Sequence, residues 1–128
     1  MAGLTLMLLP DVVAVCRLAT GENVPDWGMN GRFWCVTRTA DELSVVCAEV
    51  FVPEGVRVER GWRVLQVVGP LDFSLTGVLA SLARPLADAG VPIFALSTFD
   101  TDYVLVKQEK VETAVSVLRQ SGHVVMDD

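Results

Sequence analysis

A chain of 128 residues is long enough to bury a core of its own and short enough to hold one ordinary domain or two very small ones. Hydrophobic residues make up 52% and charged ones 20%, which excludes a disordered chain because the apolar surface offsets the entropy of ordering it. Ten Lys plus Arg against sixteen Asp plus Glu leave a formal charge of −6, the wrong sign for neutralising phosphates, so neither nucleic acid nor an anionic membrane is an expected partner.

The apolar run Leu4–Leu9 is interrupted by Pro10 and Asp11 and lacks a basic leader, so it reads as a strand rather than a cleaved signal. Val13-Ala14-Val15-Cys16 follows, and then Thr20–Gly28, full of turn formers and without helical periodicity. Pro53-Glu54-Gly55 through Gly61 reads as a connection. Trp62–Val68 is a strand that stops at Gly69-Pro70.

Leu75, Val78, Leu79, Leu82 and Leu86 then recur at helical spacing, with Asp72 or Ser74 as N-cap, Pro85 as an internal bend and Gly90 as a left-handed stop. Val91–Ser97 and Asp102–Val106 are predicted to pair as a hairpin. Val111, Ala114, Val115 and Leu118 mark a second helix that ends at Gly122, before a last strand His123–Met126. The order from Trp62 is therefore β-α-β-β-α-β, an α+β, ferredoxin-like unit with two helices on one face of an antiparallel sheet.

A single shift places Leu4–Pro10 on Val64–Pro70 and Trp34–Val46 on Phe94–Val106, strand on strand. This predicts two such units in tandem, a reduced one over residues 1–61 and a complete one over 62–128. The stretch Phe73–Phe99 is mostly apolar but carries Arg84, Pro85, Asp88 and Pro92, so it is not a membrane span.

Little in the sequence points to catalysis. Cys16, Cys35 and Cys47 are odd in number and lack CxxC spacing, so they read as buried thiols of a cytoplasmic protein rather than as a disulfide framework or a zinc site. No basic neighbour marks any of them as a reactive nucleophile. His123, the single histidine, has no nucleophile and carboxylate in a recognisable motif around it and reads as a partly exposed structural residue. The loop Gly69–Gly77 lacks both the Lys-Ser/Thr of a P-loop and GxGxxG, so nucleotides are not indicated and no cofactor is expected.

That loop does offer unpaired amides at the positive end of a helix dipole, where a small carboxylate is well held. The turn Ser97–Asp102 is predicted to lie opposite and supplies Asp100 and Asp102 for an ammonium group. Together they suit a zwitterion. The same spacing is also met if Asp72 and Ser74 merely cap the helix and Asp100 merely closes a turn.

The segments Asp72–Leu82, Pro85–Val91 and Ser97–Val106 together resemble ACT domains. They are similar to those of small bacterial tandem-ACT proteins, of the CASTOR arginine sensors of animals and of aspartokinase regulatory domains. The resemblance covers Trp62–Met126 strongly and Phe33–Gly61 more faintly. It implies a non-catalytic amino-acid-binding regulatory protein, assembled as a homodimer, with ligand at the interface between paired ACT units. It also implies ligand-binding positions at Asp72, Phe73, Ser74, Leu75, Thr76 and Gly77 and, opposite, at Thr98, Phe99, Asp100, Thr101 and Asp102. Asp102 matches the acidic residue that grips ligand nitrogen in the arginine sensors, whereas Leu75 stands where their motif has a glutamate. The alternative is a ligand-free ACT-type oligomerisation or protein-interaction module.

Overall fold

The computed structural model describes residues 3–127. The chain forms two compact units, one of Met1–Pro10 with Arg63–Asp128 and the other of Asp11–Trp62. The first unit is thus discontinuous, and the opening residues belong with 63–128 rather than with the rest of the predicted 1–61 segment.

In this discontinuous unit the strands are β1 (Thr5–Leu8), the second half of β5 (Arg57–Val67), β6 (Ile93–Ser97), β7 (Asp102–Lys107) and β8 (Val124–Asp127). They lie in the order β6-β7-β5-β1-β8. From β5 onward the chain is βαββαβ, with α1 (Val78–Asp88) and α2 (Val111–Gln120) as its helices. The added feature is β1, inserted between the first and last strands of that pattern, antiparallel to β5 (Leu6 opposite Val67) and parallel to β8 (Leu6 opposite Val125).

Alternation sends Leu6, Leu8, Leu65, Val67, Val104, Val106 and Val125 to the helix side of the sheet. There they meet Leu82 and Leu86 of α1 and Ala114 and Leu118 of α2 in one core. Truncating such a leucine to alanine costs about 2–5 kcal/mol.

Both helices end as their glycines predict. Gly90 takes φ 73°, its N–H bonds Ala87 O at 3.0 Å and the Val91 N–H bonds Leu86 O at 2.9 Å. Gly122 takes φ 94° with the equivalent pair to Arg119 and Leu118. These are Schellman closures, in which the left-handed residue lets its own amide and the next one reach back to the last carbonyls.

The start of α1 differs from expectation. The N-cap is Gly77, in left-handed conformation at φ 78°, and Leu75 lies before the helix. Asp72 instead closes a turn of its own, accepting the Ser74 amide at 2.8 Å and the Ser74 hydroxyl at 2.7 Å. Pro85 sits within α1 without ending it.

The other unit, Asp11–Trp62, is all antiparallel: β3 (Cys35–Arg38), β4 (Leu43–Ala48), β2 (Val13–Leu18) and the first half of β5, in that order. Where a complete unit has its first helix, this one carries a one-turn 3-10 helix, Asp26–Met29. Ala14, Cys16, Leu43, Val45, Cys47 and Val52 form its core.

The connection predicted over Pro53–Gly61 is half strand, since β5 begins at Arg57. Gly61 marks a bulge and not a break: Val13 opposes Trp62 while Val15 opposes Glu59, so β5 holds one extra residue there. Gly61 takes φ 79°, and its amide is held by a Glu49 carboxylate oxygen at 2.7 Å. A glycine at positive φ absorbs the insertion without strain.

Candidate functional site

The loop leaving β5 and the turn joining β6 to β7 are fastened to each other. The Thr101 hydroxyl donates to Val67 O at 2.6 Å inside the protein, and the Leu71 amide donates to Asp100 O at 2.7 Å. Gly69 suits this closeness, because a Cβ there would lie 3.0 Å from Asp100 O and 3.3 Å from the Thr101 Cβ, so the loop and turn would have to part by a few tenths of an ångström. Within the turn, the Thr98 amide donates to Thr101 O at 2.8 Å, which fixes the loop that carries Asp100.

Between loop and turn lies a cavity of about 370 Å³. The volume falls at the low end of the roughly 300–1,000 Å³ typical of ligand pockets and suits one small molecule. Of the predicted positions, Asp72, Phe73, Leu75, Gly77, Thr98, Phe99, Asp100, Thr101 and Asp102 line it. Ser74 and Thr76 do not; Ser74 faces Asp72 in the turn described above.

Leu71, Val78, Leu79, Ala80 and Ser97 complete the wall and were not singled out by the sequence. The first three residues of α1 are among them. No side-chain cap bond is made at Gly77, so the first-turn amides of α1 are not covered by a capping oxygen. That end of the helix carries its partial positive charge.

The opposite wall is acidic. The Ser97 hydroxyl donates to Asp102 Oδ1 at 2.6 Å, which sets the orientation of that carboxylate. Asp100 lies two residues earlier on the same turn. On the loop side, Asp72 is held below the usual carboxylate pKa by the backbone N–H of Ser74 and then by its hydroxyl, so it stays ionised. At the mouth the rings of Phe73 and Phe99 meet edge to face, with centroids 4.8 Å apart, while remaining 74% and 80% exposed.

His123, expected to be partly exposed, is buried at 6% and far from idle. Its Nδ1 accepts the Leu4 amide at 3.0 Å, which leaves the proton on Nε2, 3.2 Å from Ser81 O. Cys16 and Cys47 are buried as predicted, whereas Cys35 is half-buried. Burial, followed by the neighbouring Cys47, pushes the Cys16 thiol from 9.0 to about 12, and burial raises Cys47 as well. Such thiols are poor nucleophiles.

A model of the ACT domain matches residues 57–120, half of the chain. The chain belongs to the ACT-domain family. A second model, described as an N-terminal domain, matches residues 11–55 and so falls within the other unit. The α+β, ferredoxin-like architecture read from the order of predicted elements is the architecture observed.

An X-ray structure of a protein from Agrobacterium tumefaciens is 36% identical, with a TM-score of 0.94, and is matched over 100% of this chain and 96% of that one. The human cytosolic arginine sensor for mTORC1 subunit 1 is 38% identical over 64 residues, 48% of this chain. The matched part spans 20% of that sensor's length. The regulatory subunit of aspartate kinase from Thermus flavus shares the fold, with a TM-score of 0.63 at 14% identity, over 94% of this chain and 99% of that one. Among the described residues, no helix of this ACT protein is long and apolar enough to cross a membrane.

Proposed function

We propose that this ACT protein is a non-catalytic cytoplasmic regulator that senses an amino acid, with the ligand enclosed between ACT units of two copies in a homodimer. One observation carries the reading. The uncapped start of α1 and the carboxylates of Asp100 and Asp102 line the same cavity, so a donor surface for a carboxylate stands opposite acceptors for an ammonium group. The relatives support it: one is named as an arginine sensor and others as regulatory parts of aspartate kinase.

The apolar rim supports the dimer. Phe73, Phe99, Leu75 and Leu79 all line the cavity while exposed to solvent. A second copy covering this rim would seal the ligand from water, and a ligand touching both copies stabilises the assembly by linkage.

The test is a thermal-shift and calorimetric screen of the protein amino acids, run together with a mass measurement of the assembly. At least one amino acid is expected to raise Tm and the dimer fraction together, and Asp102→Ala to abolish both responses while the protein stays folded. Silence across the whole panel would leave an ACT-type oligomerisation module.

A further inference from the structure

The cavity also carries information about the side chain of its ligand. Building on the amino-acid reading above, we propose that it takes an α-amino acid with an apolar, aliphatic side chain and rejects acidic ones.

The argument begins with charge. Among the described residues the lining holds the three carboxylates of Asp72, Asp100 and Asp102 and no Lys, Arg or His. A ligand with an acidic side chain would bring a further negative charge into this space with no cation to meet it. The amides at the start of α1 serve one carboxylate, and the ligand's own α-carboxylate takes that place.

Next comes the distribution of those charges. Asp100 and Asp102 share one wall, the β6–β7 turn, where they suit the α-ammonium. The other wall is formed by the loop after β5 and the start of α1, and it offers Leu71, Leu75, Val78 and Leu79. Its carboxylate, Asp72, lies on an exposed residue and is turned to Ser74, whose amide and hydroxyl both donate to Oδ1. A ligand that sets its ammonium on the acidic wall and its carboxylate on the helix directs its side chain to the leucines. An aliphatic group buries apolar surface there, whereas a guanidinium or lysine ammonium would lose water among the leucines with only the solvent-exposed carboxylate of Asp72 to meet it.

Calorimetry on the full chain with L-leucine, L-isoleucine, L-valine, L-methionine, L-arginine, L-lysine, L-aspartate and L-glutamate tests the assignment. At least one of the first four is expected to bind tenfold or more tighter than any of the last four. Leu75→Gln, on an exposed loop, should weaken the aliphatic ligand about tenfold, and Leu75→Met should restore it. A basic or acidic amino acid as the tightest ligand overturns the side-chain class and leaves amino-acid sensing intact. An unchanged affinity in Leu75→Gln overturns the placement of the side chain on this wall. Absence of binding by any amino acid overturns both this proposal and the reading beneath it.

Discussion

The imidazole of His123 takes the place of the backbone donor that Pro85 removes from α1. In an unbroken helix the amide of residue 85 would bond the carbonyl of residue 81, and proline has no amide to give. The Ser81 carbonyl is met instead by His123 Nε2 at 3.2 Å, while Nδ1 of the same ring accepts the Leu4 amide at 3.0 Å. One buried side chain therefore satisfies α1 and the entry to β1 together.

This arrangement predicts a coupling. His123→Phe leaves the Leu4 amide and the Ser81 carbonyl without a partner and should cost about 1–3 kcal/mol for each buried group. In a Pro85→Ala background, the new amide returns to Ser81, so the same histidine change should cost about 1 kcal/mol less. Urea denaturation of the two single variants and the double variant measures the difference. Strict additivity would show that His123 does not serve that carbonyl.

Gly69 predicts separation of function from fold. In Gly69→Ala the Cβ would meet Asp100 O and the Leu71 amide, each at 3.0 Å, and must push the loop and the turn apart. Ligand affinity should fall tenfold or more, with circular dichroism unchanged and Tm lowered by a few degrees, corresponding to about 1 kcal/mol. Titration of the variant with the amino acid found for the parent checks it.

Gly77 is required for its backbone conformation. At φ 78° an alanine pays about 1–2 kcal/mol, although its Cβ would meet nothing within 4 Å. Gly21 also has open space around its Cβ and lies outside the positive-φ glycines, so Gly21→Ala should stay within about 0.5 kcal/mol of the parent. Chemical denaturation of the pair separates strain from crowding.

The buried thiols set an alkaline limit on stability. Cys16 keeps its proton in the folded state up to about pH 12, whereas in the unfolded chain it loses it near 9.0. Above pH 9 the unfolded state binds fewer protons than the native one, so unfolding free energy falls as pH rises through that window and is steady below it. Cys47 acts in the same direction. Cys16→Ala/Cys47→Ala should flatten the decline between pH 9 and 11, and a thiol reagent at pH 8 should label Cys35 before either buried cysteine.

Much of the fold was legible because its signals are local. Apolar residues at helical spacing gave α1 and α2, and Gly90 and Gly122 gave both helix ends, where a left-handed residue permits the backward bonds seen there. The loop and turn of the site were legible from the order of elements, which brings the ends of β5 and β6 to one side.

What escaped was set by distant contacts or by ambiguous glycines. Gly61 inside a strand and Gly55 in a turn look alike in sequence, and only pairing with β2 distinguishes a bulge from a loop. Asp72 and Ser74 both qualify as caps by type, but they close onto each other in a turn of their own, and the cap is Gly77, which the spacing did not mark. No local pattern announces that Leu6 will lie beside Val125. The apolar wall residues Leu71, Val78 and Leu79 looked like ordinary core and loop positions until the cavity joined them.

The placement of β1 governs the order in which the chain can be completed. During synthesis, residues 11–62 are all present long before β8 leaves the ribosome, so that unit can fold while the opening segment still waits for its neighbour. For the same reason a fragment cut at Arg63 would lack a strand from the interior of its sheet, and the discontinuous unit can be isolated only by splicing residues 1–10 back onto it.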